Sequence, residues 1–104
     1  MIHELKTINP YFQKLAEGKK TFELRKNDRD YKVGDVLFLK EYDTIKKEYK
    51  SGLLKRLITD VLTHEEFPEG IKEGYCILSL SDDLEAIAIE IAKSSQYLFN
   101  NIQR

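Results

Sequence analysis

Apolar and polar residues alternate along most of residues 1–81, and a period of two predicts β-strands rather than helices. The segments that we assign to strands are residues 2–8, 21–25, 36–42, 53–63 and 75–80. Residues 53–63 are long enough to require a bend, and residues 48–50 extend one strand of a hairpin. Residues 31–35 indicate a tight turn, because Gly34 can adopt a positive φ.

Helical spacing replaces this alternation at two places. Asn9 followed by Pro10 is typical of a helix start, and Gly18 stands where a terminating glycine belongs, so we predict a short helix between them. Asp82, followed three residues later by Glu85, has the spacing of a capping box and predicts a second helix that runs to about residue 100. The apolar face of this second helix consists of Leu84, Ile87, Ala88, Ile91 and Leu98.

These elements predict an α+β fold that is mainly β. We expect a small, mostly antiparallel pseudo-barrel of about five to six strands, with one helix after strand one and an added C-terminal helix. Residues 1–81 then form the domain and residues 82–104 form a helical extension. Since short connections usually place consecutive elements side by side, we expect the extension to pack on the same barrel, in a monomer rather than a homodimer.

The composition is that of one folded domain with a modest core, since 41% of the 104 residues are hydrophobic and 11% are aromatic. No apolar run approaches the roughly 20 residues that cross a bilayer, and the first residues lack the layout of a signal peptide. The single cysteine, Cys76, cannot form an internal disulfide, which agrees with a reducing compartment. We therefore expect a cytoplasmic protein that has no membrane partner.

Charge is distributed unevenly, although the formal net charge is only −1. Residues 1–56 carry 14 Lys and Arg against 9 Asp and Glu, a net of +5, whereas residues 57–104 carry 3 against 9, a net of −6. Such a split is typical of a surface for an anionic partner. It is equally compatible with two halves of the protein that attract each other.

The strand predicted at residues 21–25 carries the densest chemistry of the chain. Phe22 and Leu24 share one of its faces, as in a half-buried strand. Glu23 and Arg25 share the other face, where the carboxylate can hold the guanidinium. A run of hydrogen-bonding side chains then follows in the connecting loop: Lys26, Asn27, Asp28, Arg29 and Asp30. The alternative is a solvated edge strand followed by a charged loop.

Lys20, Glu23 and Arg25 form a compact candidate site. Arg25 offers a planar fork for a phosphate or a nucleobase edge, and Lys20 adds a compact cation. Glu23 can orient Arg25, accept a hydrogen bond from an exocyclic amine, or act as a general base if it is buried. The structural alternative is an ion pair across the mouth of the barrel. Four tyrosines can stack on bases or pack against the core, namely Tyr31, Tyr42, Tyr49 and Tyr75.

The sequence contains no phosphate-binding glycine loop and no clustered Cys and His residues, so we expect neither a cofactor nor a metal. His3 and His64 are far apart in the sequence, and either can be a surface residue rather than a metal ligand. Cys76 has apolar neighbours, which favour a small strand residue over a nucleophile.

The segment from Gly18 to Arg25 resembles the Gly-x-Lys-x-x-Glu-x-Arg signature of the ASCH domains, a branch of the PUA-like superfamily. The continuation to Asp35 is similar to a small stand-alone bacterial and phage subgroup, and residues 74–80 are similar to the last strand of that subgroup. The resemblance covers about residues 1–81 and leaves the C-terminal helix outside. It implies a pseudo-barrel with a helix after strand one.

The resemblance also implies binding of RNA or a modified nucleotide in a cleft beside the signature strand. The implied ligand-binding residues are Lys20, Glu23, Arg25, Lys26, Asn27, Asp28 and Arg29. An acetylcytidine amidohydrolase among the relatives uses a lysine, a threonine and a glutamate; here Lys20 matches the lysine, whereas Glu23 occupies the threonine position. The alternative is therefore a small hydrolase of a modified nucleoside or of RNA, with Lys20 and Glu23 as catalytic residues. A second alternative is a protein-binding adaptor that uses the C-terminal helix.

Overall fold

The computed structural model describes the backbone of residues 1–102 and the side chains of residues 1–94. Its elements, in chain order, are β1 (Ile2–Ile8), α1 (Tyr11–Ala16), β2 (Phe22–Lys26), β3 (Val36–Asp43), β4 (Glu48–Thr63), β5 (Tyr75–Ser81) and α2 (Leu84–Ile102). β4 joins the predicted segments 48–50 and 53–63 into one strand. A shift of register between Ile58 and Asp60 supplies the bend that this length requires.

The strands of the described residues form one sheet in the order β1-β3-β4-β5-β2. β1 runs parallel to β3, and the other neighbouring strands pair antiparallel. The sheet curls until its edge strands β1 and β2 face each other across a gap, which we call the seam, and arginine side chains bridge the seam. The mainly-β pseudo-barrel, with a helix after strand one and a C-terminal helix, is thereby confirmed.

Apolar side chains from four strands and from α1 fill the interior of the curled sheet. The largest fully buried side chains are Leu15, Leu37, Leu39, Ile58, Leu78, Val36 and Cys76. Arg56 of β4 donates a hydrogen bond to the carbonyl of Leu15 at 3.2 Å, which ties the last turn of α1 to the barrel. Burial, and to a smaller extent the charge of Asp28, raises the pKa of the Cys76 thiol, so this residue is a packing residue.

α2 packs against β4, β1 and β3, and Ile87 is its most deeply buried described side chain. Its N-cap is Asp83 rather than the predicted Asp82, because the Asp83 carboxylate accepts the N–H of Ala86 at 3.2 Å. Leu98, which we assigned to the apolar face, lies outside the residues whose side chains are described. Neither helix found between residues 1 and 102 combines the length and apolar character needed to cross a membrane.

His3 and Asp35 form a buried polar pair at one end of β1. His3 is 5% exposed, and its Nε2 donates to the Asp35 carboxylate at 2.8 Å. Burial works to raise the pKa of Asp35, but hydrogen bonds from His3, from the amino group of Met1 and from the Lys32 backbone N–H outweigh it, and the pKa is lowered. His3 is therefore a structural residue of the interior and not the surface residue that the sequence allowed.

The lowered pKa of Asp35 gives the protein a predictable response to acid. A carboxyl group with a depressed native pKa stabilises the fold fully above its unfolded pKa of about 3.9 and loses that contribution as the pH falls further. We expect Asp35 to lower the thermal midpoint as the pH falls below about 4, and Asp35→Asn to flatten this acid limb. Melting curves of both proteins across this range would check it; equal slopes would contradict the assignment to Asp35.

Candidate functional site

The alternation predicted for β2 is present, but its polar face points into the barrel. Glu23 is 3% exposed, whereas Phe22 and Leu24 are 47% and 56% exposed. The inner face of β2 therefore carries Glu23 and Arg25, and its outer face carries the large apolar side chains. This arrangement is opposite to that of an ordinary half-buried strand, and it turns the charged side chains of β2 towards the inside of the barrel.

The turn between α1 and β2 places Lys20 beside this inner face. Gly18 ends the helix with a φ of +76°, a conformation that glycine adopts without the steric cost met by other residues. The next two residues, Lys19 and Lys20, donate their backbone N–H groups to the carbonyl of Lys14. The chain thus leaves the helix in a fixed direction, and the Lys20 side chain reaches back towards Glu23.

Glu23 is the centre of a three-residue charged cluster that also contains Lys20 and Arg25. Lys20 Nζ donates to Glu23 Oε1 at 2.5 Å, and Arg25 Nε donates to Glu23 Oε2 at 2.7 Å. The side chains of Lys20 and Arg25 are 17% and 23% exposed, against 4% for Glu23. One buried carboxylate therefore holds two partly accessible cations in fixed positions, each with N–H groups left to donate.

Arg25 also bridges the seam to β1. Its Nη1 donates to the backbone carbonyl of Lys6 at 3.1 Å, and its Nη2 donates to the hydroxyl of Thr7 at 3.2 Å. Further along the seam, Arg29 donates to the carbonyl of Glu4 at 3.1 Å. The barrel is held together here by side chains in place of a strand ladder, and the cleft opens beside the Arg25 bridge.

The cleft has a volume of about 530 Å³ and is lined by residues 6–8 of β1, by Tyr11 and Lys20, and by residues 22–25 of β2. Tyr11 and Phe22 are about half exposed, and their ring centroids lie 5.4 and 5.2 Å from Lys20 Nζ. The charged cluster therefore forms a polar floor between walls that expose aromatic rings. Small-molecule sites commonly combine apolar walls with a few convergent polar groups in this way.

The structure brings together three of the predicted site residues, Lys20, Glu23 and Arg25, and places the others elsewhere. Lys26, Asn27, Asp28 and Arg29 are exposed and do not line the cleft among the residues that the structure describes. Arg29 lies on the seam through its hydrogen bond to Glu4. A role of these four side chains in ligand binding stays a prediction, since they are not part of the lining of the cleft.

Sequence reasoning missed the contribution of β1 and α1 to the cleft. Lys6, Thr7 and Ile8 line one side, and Tyr11 lines another. Alternation alone places Thr7 on the same face as Leu5, but no local signal indicates that β1 and β2 become neighbours across the seam. Tyr11 opens α1, and its position in the first turn carries no mark of a binding residue.

The cluster offers donors, one acceptor and a hydroxyl, but its chemistry differs from that of a threonine-based hydrolase. Thr21 is exposed and lies outside the cleft, whereas the buried hydroxyl of Thr7 accepts from Arg25 within it. Among the described side chains, no group of three His, Cys, Asp or Glu residues is arranged to hold a metal ion.

Two comparisons relate the chain to other proteins. A family model described as "Domain of unknown function (DUF3850)" matches residues 2–80, which include every strand except the last residue of β5. A protein of Escherichia phage P2, described as "Uncharacterized 12.9 kDa protein in GpA 3'region", is 32% identical over 100 residues. That similarity covers 95% of this chain and 86% of the phage protein.

Proposed function

The chain belongs to the DUF3850 family, and we propose that its cleft binds a nucleotide, either free or as part of an RNA strand. The observation that carries the proposal is the buried Glu23 carboxylate, which holds Lys20 and Arg25 beneath two exposed aromatic rings. A nucleotide has a flat base that stacks on aromatic rings and a phosphate that pairs with cations. The cleft supplies partners for both parts.

Each side chain then has a defined role in the proposed complex. The base enters between Tyr11 and Phe22, and Glu23 accepts from an exocyclic amine or keeps Arg25 in position. Lys20 and the free N–H groups of Arg25 donate to the phosphate. We also propose membership of the ASCH branch of the PUA-like superfamily, which rests on the spacing of Gly18, Lys20, Glu23 and Arg25.

The proposal predicts weak, electrostatic binding of single-stranded RNA. With two to four phosphates contacted, log K should fall against log salt with a slope of about −1.5 to −3. Fluorescence anisotropy of a labelled oligoribonucleotide, titrated with the protein at several salt concentrations, measures this slope. An affinity that does not change with salt, or no binding at low ionic strength, would contradict the proposal.

A hydrolase acting on a modified nucleoside is the second candidate function. It is favoured by the direct contact between Lys20 and the buried Glu23 in a cleft that also contains the Thr7 hydroxyl. Such a pair can exchange a proton with a substrate held beside it. Incubation with acetylated cytidine, followed by chromatography for cytidine and acetate, separates turnover from binding alone.

A further inference from the structure

The outer surface of the sheet beside the cleft carries lysines and tyrosines in adjacent rows. Lys6 and Ile8, which line the cleft, are paired in register with Lys40 and Tyr42 of β3. Tyr42 is in turn paired with Tyr49 of β4. We call Lys6, Lys40, Tyr42 and Tyr49 the tyrosine–lysine face. Because Lys6 belongs to both surfaces, this face is continuous with the rim of the cleft.

The rings and ammonium groups of this face are in contact with one another. Tyr42 and Tyr49 pack edge to face, with centroids 5.1 Å apart and ring planes at 73°. Lys6 Nζ lies 4.0 Å from the Tyr42 centroid and 6.0 Å from that of Tyr49, and Lys40 Nζ lies 5.9 Å from Tyr49. Tyr49 is 56% exposed, so a flat ligand can reach its ring while two cations stand beside it.

The charges and shape around the face also suit an anionic chain. Lys40 pairs with Glu4 at 3.1 Å, and because both side chains are well exposed this pair adds little stability, so Lys40 can bind another anion instead. Lys50 is well exposed and lies 3.7 Å from the largely buried carboxylate of Glu41. The remaining carboxylates nearby, Asp43 and Glu48, lie at the hairpin turn beyond Tyr49. A second hollow of about 270 Å³, lined in part by Tyr42 and Lys50, extends from the face towards that turn.

We propose that the cleft and the tyrosine–lysine face bind the same nucleic-acid strand. One nucleotide of the strand occupies the cleft, and a neighbouring nucleotide occupies the face as a second subsite. This inference rests on the proposed function and deepens it, because it makes the ligand a single-stranded polynucleotide rather than a free nucleotide. Ile8 at the cleft is paired with Tyr42, and Tyr42 is paired with Tyr49, so the backbones at Ile8 and Tyr49 are two strand spacings apart, about 10 Å. A neighbouring base then stacks on Tyr49, and its phosphate pairs with Lys6 and Lys40.

The test compares cytidine monophosphate with single-stranded oligocytidylates of increasing length, by calorimetry or anisotropy at low salt. The oligonucleotides should bind more tightly than the mononucleotide. Tyr49→Ala should weaken oligonucleotide binding by about 5- to 150-fold and leave mononucleotide binding unchanged, whereas Tyr49→Phe keeps the ring and should retain the affinity. Lys40→Gln should reduce the slope of log K against log salt by about 0.7.

Lys93→Gln is the matched control for charge, because Lys93 is exposed on α2, away from the tyrosine–lysine face. It lies one turn after Glu90, and Glu90 contacts the amino group of Met1 at the opposite end of β1. It should leave both affinities and the salt slope unchanged. Equal affinity for mononucleotide and oligonucleotides, or unchanged oligonucleotide binding in Tyr49→Ala, would overturn this inference and leave binding in the cleft standing. Failure of both ligands to bind at low salt would overturn the proposed function of the cleft together with its extension.

Discussion

Replacing Glu23 by glutamine should lower the free energy of unfolding by about 2–3 kcal/mol, because it leaves two partly buried cations without their shared anion. The amide that replaces the carboxylate presents an N–H₂ group to Lys20 or to Arg25, and both of these side chains are themselves donors. Nucleotide binding should weaken by about 1–3 kcal/mol in the same variant, since Arg25 loses the group that orients it. Denaturant unfolding and calorimetric titration measure the two effects.

Glu17→Gln is the matched control for this experiment. Glu17 also pairs with a lysine, at 2.9 Å from Lys19 Nζ, but both side chains are well exposed, so the substitution should leave the unfolding midpoint close to that of the wild type. A Glu23→Gln protein that unfolds at the wild-type midpoint would show that the carboxylate does not anchor the cluster. Lower stability with unchanged affinity would assign the cluster to the structure of the barrel alone.

Replacing Arg25 by methionine should reduce both stability and nucleotide affinity about as much as Glu23→Gln does. Different atoms of Arg25 are responsible for the two losses. The variant loses the hydrogen bond to Glu23 within β2 and the hydrogen bonds to Lys6 and Thr7 that hold β2 to β1. We expect the free energy of unfolding to fall by about 2–4 kcal/mol. Affinity for a nucleotide should fall at least about tenfold, because a charge-assisted hydrogen bond to phosphate contributes about 1.5–3 kcal/mol. Thermal unfolding and anisotropy titration report these two losses separately.

Arg29→Met provides a control on the same seam. Arg29 makes one described hydrogen bond to β1 and lies outside the cleft, so the same substitution should cost about 1 kcal/mol of stability and leave nucleotide affinity nearly unchanged. A large loss of affinity in Arg29→Met would place the loop after β2 in the binding site. Arg25→Lys, which keeps the charge but not the planar fork, would separate attraction from bridging.

The order and type of the elements could be predicted because each depends on local sequence. Alternation marks the strands, Gly18 marks the end of α1, and a polar residue before Leu84 marks the start of α2. The choice between Asp82 and Asp83 as N-cap could not be made from the sequence, because either carboxylate can accept a hydrogen bond from the backbone N–H three residues later. The parallel pairing of β1 with β3 also depends on contacts between distant segments, which no short pattern encodes.

The candidate site shows the same division between local pattern and global arrangement. The alternation of Phe22, Glu23, Leu24 and Arg25 establishes two faces of β2 but does not say which one points inward. Glu23 can be buried because two cations satisfy it, and those partners come from the preceding turn and from the same strand. Tyr11 and Lys6 join the site only through the curl of the sheet.

The seam has a further consequence for how the protein behaves at high concentration. Two edge strands with unpaired backbone groups are templates on which other chains can assemble, and natural proteins usually blunt such edges. Here the carbonyls of Lys6 and Glu4 are occupied by the guanidinium groups of Arg25 and Arg29. A strand from another molecule would have to displace both arginines before it could add to β1. Arg25 and Arg29, which bridge the seam, thereby also make edge-to-edge aggregation through β1 less favourable.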